Sequence, residues 1–300
     1  MNPAPGQRPA YLCPYCRTPG DGAGASCPGC GAPVDVQLKA SASGWIELPA
    51  ARDMARIQCG RSSLQIEGTV VPVADFTLAQ GEGVYFPHHE LLWKEPAVAV
   101  AQRTMQGAWK RVLAGMPVHM LDAHGPGRIA FSRDAAGETL AIPIHPGASI
   151  DVREHLFMVA TWQVDYGWIA SDIWFQTRDD ENEVETHYPI GPVLDRFNAA
   201  GQPGLLLIHA HGNAFLRQLG PGERILVKPT ALLYKDSSVS MNLHMEKPRS
   251  SWASWRSWGE RYMWLALHGP GRVAIQSAYG HFHDPGHNIV ADSGITHHRW

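Results

Sequence analysis

Little in this sequence announces a function outright. Its apolar stretches, such as residues 97–101 and 205–208, are far too short to span a bilayer. No apolar h-region marks the first twelve residues, which are rich in Pro, Gly and Gln. Charge of one sign is scarce as well: the formal net charge is -3, so no global field draws the chain to nucleic acid or anionic lipid. Also missing are a phosphate-cradling G-x-x-x-x-G-K, a G-x-G-x-x-G opening a helix, a G-x-S-x-G elbow and an H-E-x-x-H pair. Their absence removes the commonest nucleotide, hydrolase and metalloprotease signatures. Helical periodicity is confined to residues 106–114 and 192–200, and the acidic stretch 179–185 reads as a solvated loop. What remains is ordinary for a folded soluble chain, with 44% of its 300 residues apolar and a sizeable core expected.

Cysteine is nearly absent beyond residue 30. Four of the five crowd into Cys13-Pro14-Tyr15-Cys16 and Cys27-Pro28-Gly29-Cys30, two C-x-x-C knuckles ten residues apart. Two residues between thiolates let a tight turn place both sulfurs on one ion, and two such turns complete the tetrahedral shell of structural zinc. The segment is too small for a core, so the metal would supply most of its folding free energy. All four positions are cysteine, which leaves no open position for water and predicts a structural zinc, one per chain. Disulfides or a redox C-x-x-C are the competing reading, but no βαβ context surrounds either pair. Cys59 stands alone, and a small buried apolar side chain is its simplest role. This cysteine usage suits a reducing compartment, and the chain reads as cytoplasmic. The expected organisation is a zinc ribbon over residues 1–34, a linker over 35–50, a repeated body over 51–285 and a tail over 286–300.

The body repeats itself. Gln80-Gly81-Glu82, Pro146-Gly147-Ala148 and Pro221-Gly222-Glu223 each precede a segment of alternating apolar residues. Leu78, Ile144 and Leu219 stand three residues before the glycine, and Leu91-Leu92, Phe157-Met158 and Leu232-Leu233 begin ten residues after it. Alternation on both sides of a glycine turn marks half-buried hairpins. A second element recurs as Gly125-Pro126-Gly127-Arg128 and Gly269-Pro270-Gly271-Arg272, with an echo at Gln202-Pro203-Gly204. Pro followed by Gly predicts a type II turn launching a strand, which makes Gly81, Gly147, Gly222, Gly127, Gly204 and Gly271 the turn glycines. The expected fold is all-β: three related units forming a repeated β-sandwich or double-stranded β-helix, with the C-terminal strands closing on the first copy.

Those hairpins, together with Trp109-Lys110-Arg111, Gly115-Met116-Pro117, His124-Gly125-Pro126-Gly127-Arg128-Ile129-Ala130-Phe131-Ser132 and Gly271-Arg272-Val273-Ala274-Ile275-Gln276-Ser277, resemble the altered inheritance of mitochondria protein 24 family over roughly residues 50–280. The resemblance implies a double-stranded β-helix body similar in fold to the tryptophan RNA-binding attenuation protein and often found in self-assembling proteins. It implies roles in mitochondrial biogenesis for eukaryotic relatives and brings no catalytic residues. This chain departs from the simplest members by its added ribbon. It also lacks the full Pro-Gly-Glu in two of its copies.

Three clusters remain as candidates. His281-Phe282-His283 with His287 could hold a second metal in the cupin manner, but no glutamate follows at the expected place. His209-Ala210-His211 has the same strand spacing. Trp252, Trp255 and Trp258 among Arg249, Arg256 and Arg261 suggest a stacking surface for RNA or single-stranded DNA, against the simpler reading of a loop packed over the core. Trp162, Trp168 and Trp174, interleaved with Asp165 and Asp172, read as a sheet face. The expectation is a non-enzymatic binding or scaffold protein, self-associating as a homo-oligomer, whose ribbon docks an unidentified protein partner. Nucleic-acid binding ranks second and a metal-dependent enzyme third.

Overall fold

The computed structural model describes residues 11–13, 18–20, 27, 29, 44–48, 56–103, 120–178, 181–199, 201–246, 262–280 and 289–298. In chain order the strands are β1 (Tyr11–Leu12), β2 (Pro19–Gly20), β3 (Ile46–Leu48), β4 (Ile57–Cys59), β5 (Ser62–Glu67), β6 (Val73–Leu78), β7 (Gly83–Pro87), β8 (Leu91–Lys94) and β9 (Ala99–Gln102). Then come β10 (Met120–His124), β11 (Gly127–Ser132), β12 (Gly137–Ile144), β13 (Ser149–Arg153), β14 (Phe157–Thr161), β15 (Val164–Ala170), β16 (Phe175–Arg178), β17 (Val184–His187) and β18 (Val193–Ala199). The last are β19 (Gly204–His211), β20 (Ala214–Leu219), β21 (Arg224–Val227), β22 (Leu232–Asp236), β23 (Ser240–Glu246), β24 (Tyr262–His268), β25 (Gly271–Gln276), β26 (Ile289–Asp292) and β27 (Thr296–His298). Apart from two short 3-10 turns, His88–Glu90 and Pro229–Ala231, every regular element among the described residues is a strand. No helix among them is long and apolar enough to cross a membrane. The chain is all-β, as its alternation predicts.

The chain divides into two compact units. The first comprises Met1–Ala148, Leu156–Asp165 and Phe197–Phe215. It holds a six-stranded sheet in the order β12-β19-β14-β7-β10-β9 and a five-stranded sheet in the order β4-β5-β6-β11-β8. Burial along β5 shows why the sequence makes a strand there: Leu64 and Ile66 turn inward while Gln65 and Glu67 turn out. Leu64, Ile66, Phe76 and Ile129 of one sheet pack with Val84, Phe86, Met158 and Leu207 of the other, so the two sheets close over one core. By contrast, β19 is buried along nearly its whole length, because β12 and β14 flank it.

The second unit comprises Ser149–His155, Tyr166–Arg196 and Leu216–Trp300. Within it β13, β22 and β25 run side by side, beside a three-stranded sheet β17-β16-β26 and a four-stranded sheet β21-β24-β23-β27. The C-terminal strands join this unit: β26 pairs with β16, and β27 runs parallel to β23. Residues 289–292 and 296–298 are therefore not a bare tail, because the edges of β16 and β23 receive them.

Other local expectations change too. Within the stretch 192–200, Val193–Ala199 is strand β18 rather than a helix, since Val193, Leu194, Phe197 and Ala199 are buried within a sheet that overrides the weak helical period. The stretch 106–114 lies outside the described residues. The end of the acidic stretch, residues 184–185, lies in β17, which pairs with β16. Inside the linker 35–50, Ile46–Leu48 is a strand with Leu48 buried.

Gly81, Gly147 and Gly222 behave alike, at φ 77, 82 and 76, where glycine alone is unstrained. The residue after each donates its amide back across the turn, Glu82 to Ala79, Ala148 to His145 and Glu223 to Gly220. The type II expectation for the Gly-Pro-Gly elements is overturned. Gly127 and Gly271 sit at φ 136 and 143, well past the value a type II turn gives its glycine. Gly204 has no positive φ and instead leaves room for Val164, whose Cγ2 lies 2.5 Å from where a Cβ would stand. All three glycines open strands rather than occupy turns.

Candidate functional site

At the N-terminus β1 and β2 pair antiparallel, and the Cys13 amide donates to the Thr18 carbonyl at 3.1 Å. Cys13 and Cys27 are both buried, and the Gly29 amide donates to Cys27 Sγ at 3.3 Å. Cys16 and Cys30 lie outside the described residues, as do His281, His283, His287, Trp252, Trp255 and Trp258. Among the described residues no three His, Cys, Asp or Glu side chains come together as a metal site.

The repeated hairpins lead to a more informative place. Counted from the turn glycines, Leu92 occupies the position of Met158 and Leu233. Both counterparts are fully buried, and their strands, β14 and β22, are flanked on both sides by other strands. Leu92 is 53% exposed: among the described residues β8 is the last strand of its sheet and has one neighbour, β11. Beside it Trp93 is 39% exposed, with the Arg128 guanidinium 5.7 Å from its ring and Asp75 paired to that same Arg128. An exposed edge with two large apolar side chains is a template for another strand.

Buried charge marks two further places. In the second unit Asp151, from β13, accepts from Arg196 Nε at 2.6 Å and Nη2 at 3.0 Å, and from Lys235 Nζ at 2.8 Å. Burial alone would raise this carboxyl; the Arg196 and Lys235 hydrogen bonds outweigh it and hold it below the usual carboxylate range. In the first unit Glu90, at the end of the 3-10 turn before β8, is fully buried and paired with Arg133 just beyond β11. His89 Nε2 lies 3.1 Å from the same Glu90 oxygen, while Glu90 Oε2 has no hydrogen-bond partner among the described residues. Here burial wins over Arg133 and the carboxyl is pushed up.

His209, on β19, is fully buried with its ring 5.1 Å from that of His211, and among the described residues neither ring nitrogen finds a hydrogen bond of good geometry. Burial, then His211 and Arg133, lower it to about 4, and the opposing pull of the Ala136 backbone is weaker. No motif led to Asp151 or Glu90. The sequence signal available was a charge standing inside an apolar alternation, as in Ile150-Asp151-Val152.

The remaining candidates have structural surroundings. Cys59 lines a shallow concavity with Ser62, Glu82, Thr161 and Gln163, and its thiol is pushed up to about 12 by burial and by Glu82, which makes it a poor nucleophile. Glu82 itself accepts from the Arg61 amide and the Ser62 hydroxyl, tying one hairpin turn to another. Trp162, Trp168 and Trp174 do not share a sheet face: only Trp168 lies on a strand, β15. Trp162 stacks edge-on against His124, and the Trp174 amide donates to Ser293 Oγ. Of the interleaved acids, Asp165 lies on β15, and Asp172 takes φ 54 in the turn that follows.

These features define a class, all-β proteins of packed antiparallel sheets whose turns repeat a glycine geometry. Within it, the chain belongs to the Mitochondrial biogenesis AIM24 family, whose match spans residues 64–278. The resemblance read over roughly 50–280 therefore holds at the level of the family, and residues 1–34 lie outside the match. Among solved structures the chain is similar to protein SPYM3_0169 from Streptococcus pyogenes, with 14% identity over 73% of this chain and 94% of that one and a TM-score of 0.52. At that identity the likeness concerns the fold. The comparison with curated proteins found no match.

Proposed function

We propose that this chain is a non-enzymatic scaffold of the cytoplasm that binds protein and assembles with copies of itself through open sheet edges. Its four N-terminal cysteines hold one structural zinc in this reading. The observation that carries it is Leu92, exposed on the edge strand β8 where Met158 and Leu233 are buried. Leu92 and Trp93 leave the middle of this edge apolar before Lys94 and Glu95-Pro96 end it, and an open apolar stretch of edge favours strand addition. We read the body as three related units, supported by the common φ and common amide bonds of Gly81, Gly147 and Gly222. The zinc reading is supported by the burial of Cys13 and Cys27 and by the Gly29 amide on Cys27 Sγ, since donors to sulfur stabilise a thiolate ready for a metal.

Sedimentation of the full chain over rising concentration tests the assembly. The mass should grow with concentration and should stay near one chain for Leu92→Asp, with an unchanged far-ultraviolet spectrum. Equal masses for both proteins at every concentration overturn the reading. Metal analysis should find one zinc per chain, lost in a Cys13→Ser, Cys16→Ser variant whose body melts as before. Zinc in neither protein removes the metal from the proposal.

A further inference from the structure

One arginine of the second unit has no carboxylate to hold. Arg153, the last residue of β13, is half-buried, and its Nη1 donates to the Thr230 carbonyl at 2.6 Å. Among the described residues it makes no other hydrogen bond: Nε is buried without an acceptor, and Nη2 has none either. Glu154, next in the chain, is turned toward Gly191, with its Oε2 2.6 Å from where a Cβ on that glycine would stand. Burial pulls the Arg153 guanidinium below the usual arginine range, with no anion opposing it.

The same unit shows what such a side chain holds elsewhere. Nε and Nη2 form the edge of a guanidinium that takes two oxygens at once. In Arg196 that edge holds Asp151 at 2.6 and 3.0 Å, and in Arg272 it holds Asp236 at 3.1 and 2.9 Å. Arg153 presents the same edge to no carboxylate, and a half-buried cation is costly until an anion neutralises it.

A second cation stands at the same turn. Thr230 belongs to the 3-10 turn Pro229–Ala231, and Lys228 immediately precedes that turn. The Lys228 ammonium lies 4.5 Å from the centre of the Trp264 ring and 5.0 Å from that of Tyr262, and it pairs with no carboxylate among the described residues. The turn itself is fixed. Gln276 Nε2 donates to the same Thr230 carbonyl at 3.4 Å, and the Thr230 hydroxyl donates to the Gly280 carbonyl at 2.6 Å. A single carboxylate would neutralise one of the two cations, whereas a phosphate group carries about two negative charges at neutral pH.

We propose that Arg153 and Lys228 flank a binding site for a phosphate group, held on two oxygens by the Nε–Nη2 edge of Arg153 and attracted by the charge of Lys228. The site does not depend on the assembly reading. Because the turn and the Nη1 contact are already in place, little ordering is needed when the anion arrives.

Thermal melting and phosphorus NMR of the full chain test the site, with inorganic phosphate compared with chloride and acetate at equal ionic strength and neutral pH. Phosphate should raise the melting temperature saturably and broaden its own resonance, and chloride should raise nothing. Arg153→Lys keeps the charge but loses the two-pronged edge, and should bind phosphate about tenfold more weakly, the worth of one hydrogen bond to a charged group. Arg153→Gln should abolish the phosphate shift, and Lys228→Gln should weaken it. Phenyl phosphate separates two sources of the group: affinity equal to that of inorganic phosphate assigns a bare phosphate, and tighter binding assigns an ester with an aromatic part. The site is overturned by equal phosphate affinity in the parent and Arg153→Lys, or by a parent that responds no differently to phosphate than to chloride. Acetate binding as tightly as phosphate overturns the choice of ligand.

Discussion

Both units place a carboxylate in the dry interior, yet the two are supported differently. Asp151 receives three charge-assisted hydrogen bonds from Arg196 and Lys235, drawn from strands on either side of β13. Among the described residues, Glu90 shares Arg133 and His89 on one oxygen and leaves the other without a donor, and His209 nearby leaves both ring nitrogens unsatisfied. A buried ion costs several kcal/mol unless its lone pairs are filled, so the first arrangement is rigid and the second sensitive to its surroundings. Depth of burial alone does not separate them. The number of donors does.

The contrast breaks most severely at Asp151. Asp151→Ala leaves Lys235, itself nearly buried, without a counter-charge, and should cost about 3–5 kcal/mol in urea unfolding of the second unit. A loss under about 1 kcal/mol would place the ammonium in water and undo the contrast.

Acid sharpens the same comparison. The folded value of His209, about 4, lies below its ordinary 6.5, so between these pH values the unfolded chain binds more protons and stability falls as pH falls. The loss reaches at most about 3 kcal/mol. Asp151 responds in the same direction but lower on the pH scale: its folded value is lowered, so its contribution is present above the ordinary carboxyl range and is lost as pH drops from there through the lower folded value. Hydrogen exchange at pH 5 should therefore show β19 amides losing protection while β13 and β22 keep theirs. His209→Gln should abolish the difference.

Where the units are built alike, they should respond alike. A Cβ on Gly125 would meet the Ala79 carbonyl at 2.4 Å and Leu78 Cβ at 2.9 Å; on Gly269 it would meet the Gly220 carbonyl at 2.3 Å and Leu219 Cβ at 2.8 Å. Gly125→Ala and Gly269→Ala should each cost about 1–3 kcal/mol by thermal melting, within about 1 kcal/mol of each other. A large inequality would break the kinship of the two hairpins.

Alternation of apolar residues made the strands legible, and the spacing of Gly81, Gly147 and Gly222 located three equivalent turns, because only glycine rests easily at φ near +80. Period and turn chemistry are local properties, and local properties are written in neighbouring residues. The division into two units, the helical stretch that became β18, and the exposure of Leu92 were not legible. Leu92 reads as Met158 and Leu233 read; what separates them is the presence or absence of a strand alongside. Asp151 likewise finds Arg196 and Lys235 only after three distant strands are laid together. Which edges are covered and which charges are paired is decided by contacts far apart in the chain, so only the tertiary structure contains them.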